Sequence, residues 1–380
     1  ASIRQGVLVS FGIYIHFPYC RSKCPYCDFT SYPAKTIDFA LWDEKYADAL
    51  TAYARRLPDK TVSSVFFGGG TPSLMPPELI GSIIAKIKAL WACADDMEIS
   101  MEANPCSVDL DKLKACRAAG ITRLSLGVQA LNDTDLKFLG RLHSVEQALR
   151  AVSDAKQIFG EVSADLIYAR PTQTYAQWQS ELDQALSLNL KHLSLYQLTL
   201  EEGTYFYKKG LEMPEDDLCA DLFTLTDRMT YQAGLPRYEV SNHAAKGHEC
   251  RHNLLYWQGG EWIGVGPAAH GRFTQDGKFI ATAESRIPAE WMRHTGGEEI
   301  VLTPKEKAEE LILMALRTEK GLNREDFKTV VGQDFESFLD GEVLQDYQMD
   351  GLMVCDKKGL RATAKGLLIL NALCRSLINV

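Results

Sequence analysis

Short, nearly continuous apolar runs alternate with longer stretches of helical periodicity through the first half of the chain. The runs are FGIYIHF (11–17), TVSSVFF (61–67), MEISMEA (97–103), RLSLGVQ (123–129), VSADLIY (162–168) and HLSLYQL (192–198). Runs of this length, bounded by Gly, Pro or polar turns, read as strands buried on both faces. Apolar groups recur at helical spacing over 38–57, from Pro76–Pro77 to about Trp91, and over 109–119, 133–139, 144–158 and 174–188, which predicts helices. Strand-then-helix alternation sets parallel strands side by side, joined by right-handed crossovers. Six such units, without the two more that closure requires, predict an α/β fold with a partial (β/α)6, TIM-like barrel.

The alternation stops near residue 201. A periodic helix spans 215–235, and 236–275 is rich in Gly, His, Asn and aromatics without a clear period. From about 303 the pattern predicts helices at 304–318, 323–333 and 335–349, a hairpin at 351–363 and a last helix at 364–377. Helices followed by a small hairpin predict a mainly helical, winged-helix-like C-terminal domain. The domains are therefore placed at 1–215 (barrel), 216–300 (barrel extension and linker) and 301–380 (C-terminal domain).

With 46% hydrophobic residues in 380, the chain has material for a large core. Its formal net charge of -9 and lack of a long basic run argue against nucleic acid as a partner, so the C-terminal domain is expected to serve packing or docking. No long uncharged apolar segment is present, and a cytoplasmic protein is expected, with loose contact at a membrane surface left open. Ten cysteines are too sparse for a disulfide scaffold. Seven of them are scattered, as small core hydrophobes are, but Cys20, Cys24 and Cys27 fall within eight residues just after the first strand.

The spacing Cys20-x3-Cys24-x2-Cys27 lacks the distant second pair of a common zinc site, although His16 could complete one. Three thiolates can instead hold three irons of a [4Fe–4S] cube and leave the fourth iron open to another ligand.

Those cysteines, with Tyr26 between the last two, form the signature of the radical S-adenosylmethionine (SAM) proteins. The wider segment GIYIHFPYCRSKCPYCDFTSY resembles the oxygen-independent coproporphyrinogen III oxidase family, and the resemblance extends over almost the whole chain. It implies a [4Fe–4S] cluster on Cys20, Cys24 and Cys27, chelated at its open iron by SAM. Further SAM-binding residues are implied at the carboxyl ends of the strands, where barrel sites are built. Gly69, Gly70 and Thr71 follow the second strand, with glycines that bring backbone amides close to a ligand; Glu102 and Gln129 match ribose-binding positions. Arg141 matches the arginine that faces the SAM carboxylate, Asp165 the polar residue of a DLIYGLP motif, and Ile167 the adenine contact. Tyr14 and His16, on the first strand, are placed on the cofactor or substrate side. One departure stands out: Ala169-Arg170-Pro171 replaces the usual Gly-Leu-Pro, which is expected to put a charge at the cavity rim.

Within the family, the oxidase branch carries a further cysteine where this chain has Phe29, and an N-terminal extension ahead of the first strand. The heme-chaperone branch carries His-Asn-x-x-Tyr-Trp, present here as His252-Asn253-Leu254-Leu255-Tyr256-Trp257. The resemblance assigns heme binding to His252, and His243, His248 and His270 are candidates for a second ligand. It thus implies a heme chaperone delivering heme to apo-hemoproteins, chiefly membrane-bound respiratory enzymes. It also implies a homodimer and peripheral contact with the inner membrane. The alternative is the oxidase itself, which converts propionates to vinyls; a radical SAM methyltransferase has no independent support.

Overall fold

The computed structural model describes residues 11–294 and 296–378. Six parallel strands succeed one another as expected: β1 (Phe11–Phe17), β2 (Thr61–Gly69), β3 (Ala92–Ala103), β4 (Arg123–Gln129), β5 (Glu161–Tyr168) and β6 (His192–Gln197). Each is nearly continuously apolar because helices cover one face and the barrel interior the other. In β1, for example, every side chain but Tyr14 is buried.

The crossover helices are α1 (Phe39–Arg56), α2 (Pro77–Leu90), α3 (Leu110–Ala119), α4 (Asp133–Phe138), α5 (Val145–Ile158) and α6 (Tyr175–Ser187). Their starts are written locally. Asp38 and Asp109 accept from the backbone N–H groups of Leu41 and Lys112. Ser144 with Gln147, and Thr174 with Gln177, form reciprocal capping boxes that satisfy two orphan donors each. Against the sheet, Trp42 of α1 stacks on Trp291 with centroids 5.7 Å apart, in one core with Ile13, Ile15 and Phe67.

The segment without clear periodicity, 236–275, holds four short strands and a helix. After α7 (Tyr205–Lys209) and α8 (Asp216–Gln232) come β7 (Arg237–Glu239), β8 (Asn242–Ala244), α9 (Arg251–Trp257) and β9 (Glu261–Val265). Then follow β10 (His270–Gln275), β11 (Lys278–Ala283), α10 (Pro288–Arg293) and β12 (Glu298–Val301). The order across the twelve-stranded sheet is β12-β11-β10-β9-β1-β2-β3-β4-β5-β6-β8-β7. β9 pairs in parallel with β1, Phe11 opposite Glu261, and so adds a seventh parallel strand to the six expected. Strands of three to six residues are too short for their alternation to stand out in sequence.

The C-terminal region has its own core around Ile312, Phe327, Phe335 and Leu373. Helices α11 (Pro304–Ala315), α12 (Arg324–Val331), α13 (Gly341–Met349), α14 (Ala364–Leu367) and α15 (Leu370–Leu377) surround a three-stranded sheet. That sheet comprises β13 (Leu322–Asn323), β14 (Met353–Cys355) and β15 (Gly359–Ala362), with β15 in the middle. The expected helix at 335–349 is a 3-10 turn at Phe335–Phe338 followed by α13, and the last expected helix is divided between α14 and α15. Among the described residues no helix is long and apolar enough to cross a membrane.

Candidate functional site

The loop after β1 is tied down at its base. Tyr32 N–H donates to Pro18 O (2.8 Å) and Ala34 N–H to Cys20 O (3.2 Å), while Cys27 N–H closes a turn on Cys24 O (3.1 Å). Lys23 Nζ reaches across to Phe29 O at 3.1 Å. The β2 end seals the other side, with Gly70 and Thr71 N–H donating to Phe17 O and Tyr19 O at 2.7 and 2.8 Å. Gly70 has to be glycine, because a Cβ there would lie 2.5 Å from Tyr19 O. Gly140, at φ 68°, likewise leaves room for Pro25.

This packing sets Cys20, Cys24 and Cys27 along one side of a cavity of about 390 Å³, within the range of small-molecule sites (about 300–1,000 Å³). Cys20 is buried and the other two are half-buried; burial pushes the Cys20 and Cys27 thiols up from their usual range. Tyr26, Gly69, Gly70 and Thr71 line the same cavity. So do Glu102 from β3, Gln129 from β4, Asp165 and Ile167 from β5, and Arg141 from the segment after α4. The carboxyl ends of the strands therefore bring together nearly all the residues singled out in the sequence.

Two half-buried carboxyls, close enough to interact, line the cavity here. Burial, reinforced by the Asp165 charge, pushes Glu102 up to about 8 against the Gly69 N–H it accepts at 3.2 Å. Burial also raises Asp165, to about 6, opposed by hydrogen bonds from Ser125 (2.7 Å) and Ser194. Near neutral pH Glu102 thus keeps its proton and can donate as well as accept. Arg141 is the nearby cation: Nη1 donates to Cys24 Sγ at 3.4 Å and Nη2 to Gly127 O at 3.0 Å, and its buried Nε has no partner.

Three expectations need correction. The Gly69, Gly70 and Thr71 amides are not exposed, since each is spent inside the protein on Glu102, Phe17 and Tyr19. Tyr14 does not line the cavity; it sits behind Gly68 with its hydroxyl 3.1 Å from His16 Nδ1, and His16 Nε2 is bonded to Thr30 O. Arg170 is not at the rim. It is 1% exposed and turned toward Glu181 and Asp135, because β5 ends in a left-handed turn at Ala169 (φ 55°).

His252 stands apart from this cavity. It lies on α9, against the amino-terminal ends of β1 and β2, at the opposite end of the strands from the cysteines. Its ring is fully buried and stacked on Phe66 (5.2 Å), with Nδ1 2.9 Å from Ser64 Oγ and Nε2 2.6 Å from Tyr256 OH. Burial holds it down at about 3, a neutral imidazole with both nitrogens engaged. His243 is bonded to Thr230 Oγ1 and His248 to Glu161, while His270 is exposed on β10.

Ser125 and Tyr196 also line the cavity and were missed. Ser125 sits within β4, two residues before Gly127, and Tyr196 near the end of β6, both on inward-facing positions that the strand pattern alone could have indicated.

Comparison with known proteins agrees with this geometry. The Radical SAM superfamily model matches residues 14–185, and the HemN C-terminal domain model matches 302–369. The solved structure of Escherichia coli coproporphyrinogen III oxidase (HemN) superposes with a TM-score of 0.80 at 22% identity, over 99% of this chain and 92% of that one, a likeness of fold. Fold and cysteine loop together define a radical SAM protein. Radical S-adenosyl methionine domain-containing protein 1, mitochondrial, of Bos taurus is 36% identical over 97% of this chain and 87% of its own length. Heme chaperone HemW is 37% identical in Escherichia coli K12 (75% of this chain, 76% of that one) and 32% in Haemophilus influenzae (96% and 97%). The chain belongs to the radical SAM family that includes the heme chaperone HemW.

Membership implies a [4Fe–4S] cluster and SAM, and the residues fit both. Three thiols line the one cavity, and a buried guanidinium nitrogen of Arg141 beside them lacks a partner. Among the described residues no three His, Cys, Asp or Glu side chains are grouped to hold a single metal ion. A cube needs no such cage, since each thiolate binds a different iron.

Proposed function

We propose that this protein is a heme chaperone that takes up heme as cargo and passes it to an apo-hemoprotein, carrying a SAM-binding [4Fe–4S] centre in the strand-end cavity. The observation that carries the cofactor part is the convergence of Cys20, Cys24 and Cys27 with Glu102, Gln129, Arg141 and Asp165 on one cavity. The cargo follows from relatives named as heme chaperones at 37% and 32% identity. Phe29, lining that cavity in place of a fourth cysteine, favours this reading over the oxidase.

When bound, the cluster supplies an electron to the SAM sulfonium. The chain's own residues hold and orient. The three thiolates take three irons. Arg141, its Nη atoms on Cys24 and Gly127 and its Nε without a partner, would present a positive charge to a carboxylate, and protonated Glu102 with ionised Asp165 offers a donor and acceptors to ribose hydroxyls. Ile167 gives adenine an apolar wall. Because the Gly69–Thr71 N–H groups are already spent and Thr71 O accepts from Leu74 N–H, the part of this turn is to shape the cavity wall.

Heme ligation by His252 would need the packing of α9 on the barrel to open, since the ring is fully buried, with Nδ1 on Ser64 of β2 and Nε2 on Tyr256 of its own helix. Heme uptake through His252 would therefore accelerate hydrogen exchange in α9. We place the acceptor among membrane-bound respiratory hemoproteins, met by a homodimer at the membrane surface.

The deciding experiment reconstitutes the cluster anaerobically, adds SAM and reductant, and assays heme transfer to an apo-acceptor beside coproporphyrinogen turnover. Transfer without decarboxylation is expected, and rapid decarboxylation without transfer would overturn the proposal. For the cluster, Cys24→Ala should lose stable iron and sulfide; full retention of both would refute its role as a ligand.

A further inference from the structure

The departure at Ala169-Arg170 has a structural counterpart that reaches the cofactor cavity from behind. Arg170 is fully buried, and its guanidinium meets three separate segments. Nη1 donates to Ile167 O at 2.7 Å, at the end of β5. Nη1 and Nη2 both engage the Glu181 carboxylate on α6, Nη1 at 3.3 Å. Nη2 also pairs with Asp135 Oδ2 of α4 at 2.8 Å.

Each partner is tied in turn to a residue lining the cavity. Glu181 Oε1 accepts from Leu131 N at 2.6 Å, just beyond Gln129 at the end of β4. The α4 turn that carries Asp135 runs directly into Arg141, whose N–H donates to Leu136 O at 2.8 Å. Ile167 is itself a lining residue, two positions after Asp165. One cation therefore links the segments that supply Gln129, Arg141, Asp165 and Ile167.

Two of those strand ends are held in an unfavourable backbone. Gln129 has φ 71° and Ala169 φ 55°, in the left-handed region that residues with a Cβ seldom occupy. Such conformations persist where surrounding contacts over-determine them, and Glu181 on Leu131 N with Arg170 on Ile167 O supplies those contacts. A buried ion pair gives little net stability over an apolar replacement of the same shape. Its distinctive product here is the fixed relation between two strand ends and α4.

We propose that Arg170 is a positioning residue for SAM, setting the adenosine and carboxylate contacts through Glu181 and Asp135 without touching the cofactor. This inference rests on the cavity's being the SAM site. Arg170 acts on the binding of SAM ahead of the loading of the cluster, because none of its own partners belongs to the cysteine loop, which the network meets at one remove, through Arg141 on Cys24 Sγ and Gly140 against Pro25.

The test uses full-length protein reconstituted anaerobically, with iron and sulfide content, thermal midpoint and SAM affinity measured separately. SAM affinity is read from the change in the EPR signal of the reduced cluster during titration. Arg170→Lys keeps the charge but loses the fork. It is expected to load iron and sulfide like the unmodified protein and to bind SAM about tenfold more weakly. Asp135→Asn alters the partly exposed tie to α4, along with the local bond that Asp135 Oδ2 accepts from Asn132 Nδ2, and leaves Arg170 and Glu181 in place, so it serves if the lysine variant does not fold; a severalfold loss of SAM affinity is expected. Iron-loaded variants whose SAM affinity matches the unmodified protein, whatever their thermal midpoints, would overturn the inference. No SAM-dependent signal in the unmodified protein would instead remove the reading of the cavity on which it rests.

Discussion

Replacing Glu102 with Gln keeps the shape of the side chain and the acceptor for Gly69 N–H while removing the titration. Burial and the neighbouring Asp165 raise the Glu102 carboxyl from 4.5 to about 8. A raised folded-state value means that its full contribution to stability is present below 4.5 and is lost as pH climbs through about 8. At about 1.4 kcal/mol per pH unit, that interval sets an upper limit of about 5 kcal/mol. Water entering the cavity screens the charge, so about 2–3 kcal/mol is a fair expectation between pH 5 and 8. Urea denaturation of the cluster-free protein at several pH values should show the unmodified chain losing that much relative to Glu102→Gln. Asp165, raised to about 6, acts in the same direction in both proteins. His143, held down at about 4, and His243 and His252, at about 3, act oppositely: their contribution is present above 6.5 and lost as pH falls. These terms largely cancel in the difference. Stability curves that stay parallel within about 0.5 kcal/mol across this range would refute the assignment of a desolvated, protonated Glu102.

Two further outcomes follow from packing. His252→Ala should cost about 2–4 kcal/mol by equilibrium denaturation, from lost stacking on Phe66 and two orphaned hydroxyls at Ser64 and Tyr256. It should leave SAM affinity unchanged, and a loss below about 1 kcal/mol would mean that the ring is not held as described. Gly70→Ala drives a Cβ to 2.5 Å from Tyr19 O, so backbone has to move and the cysteine loop with it. A cost of about 1–3 kcal/mol and poorer iron and sulfide loading are expected; normal loading in the variant would show that the contact between Gly70 and the loop is dispensable.

Much of the barrel was legible because its signals are local. FGIYIHF, VSADLIY and their counterparts carry enough contiguous apolar residues to read as strands buried on both faces, and Asp109, Ser144 and Thr174 mark helix starts by hydrogen bonds three residues long. The three-cysteine loop was equally plain, since all its donors lie within eight residues. β9 was not, because five residues following an irregular stretch say nothing of pairing with β1, some 250 positions earlier. Nor could the sequence reveal that the glycine amides are already spent, which depends on where Glu102 and the ends of β1 come to rest.

What the sequence by itself determined is the succession of strands and helices, the thiol trio and the residue types at the strand ends. Spacing and periodicity act over a few residues and survive in one dimension. Only the tertiary structure decided that Arg170 turns inward to Glu181 and Asp135, that Tyr14 lies behind Gly68, and that His252 is sealed into the floor beyond reach of the cavity. The reason is the same in each case: a side chain's direction and partners depend on segments brought together by the sheet, and the chain's order does not record which segments those are.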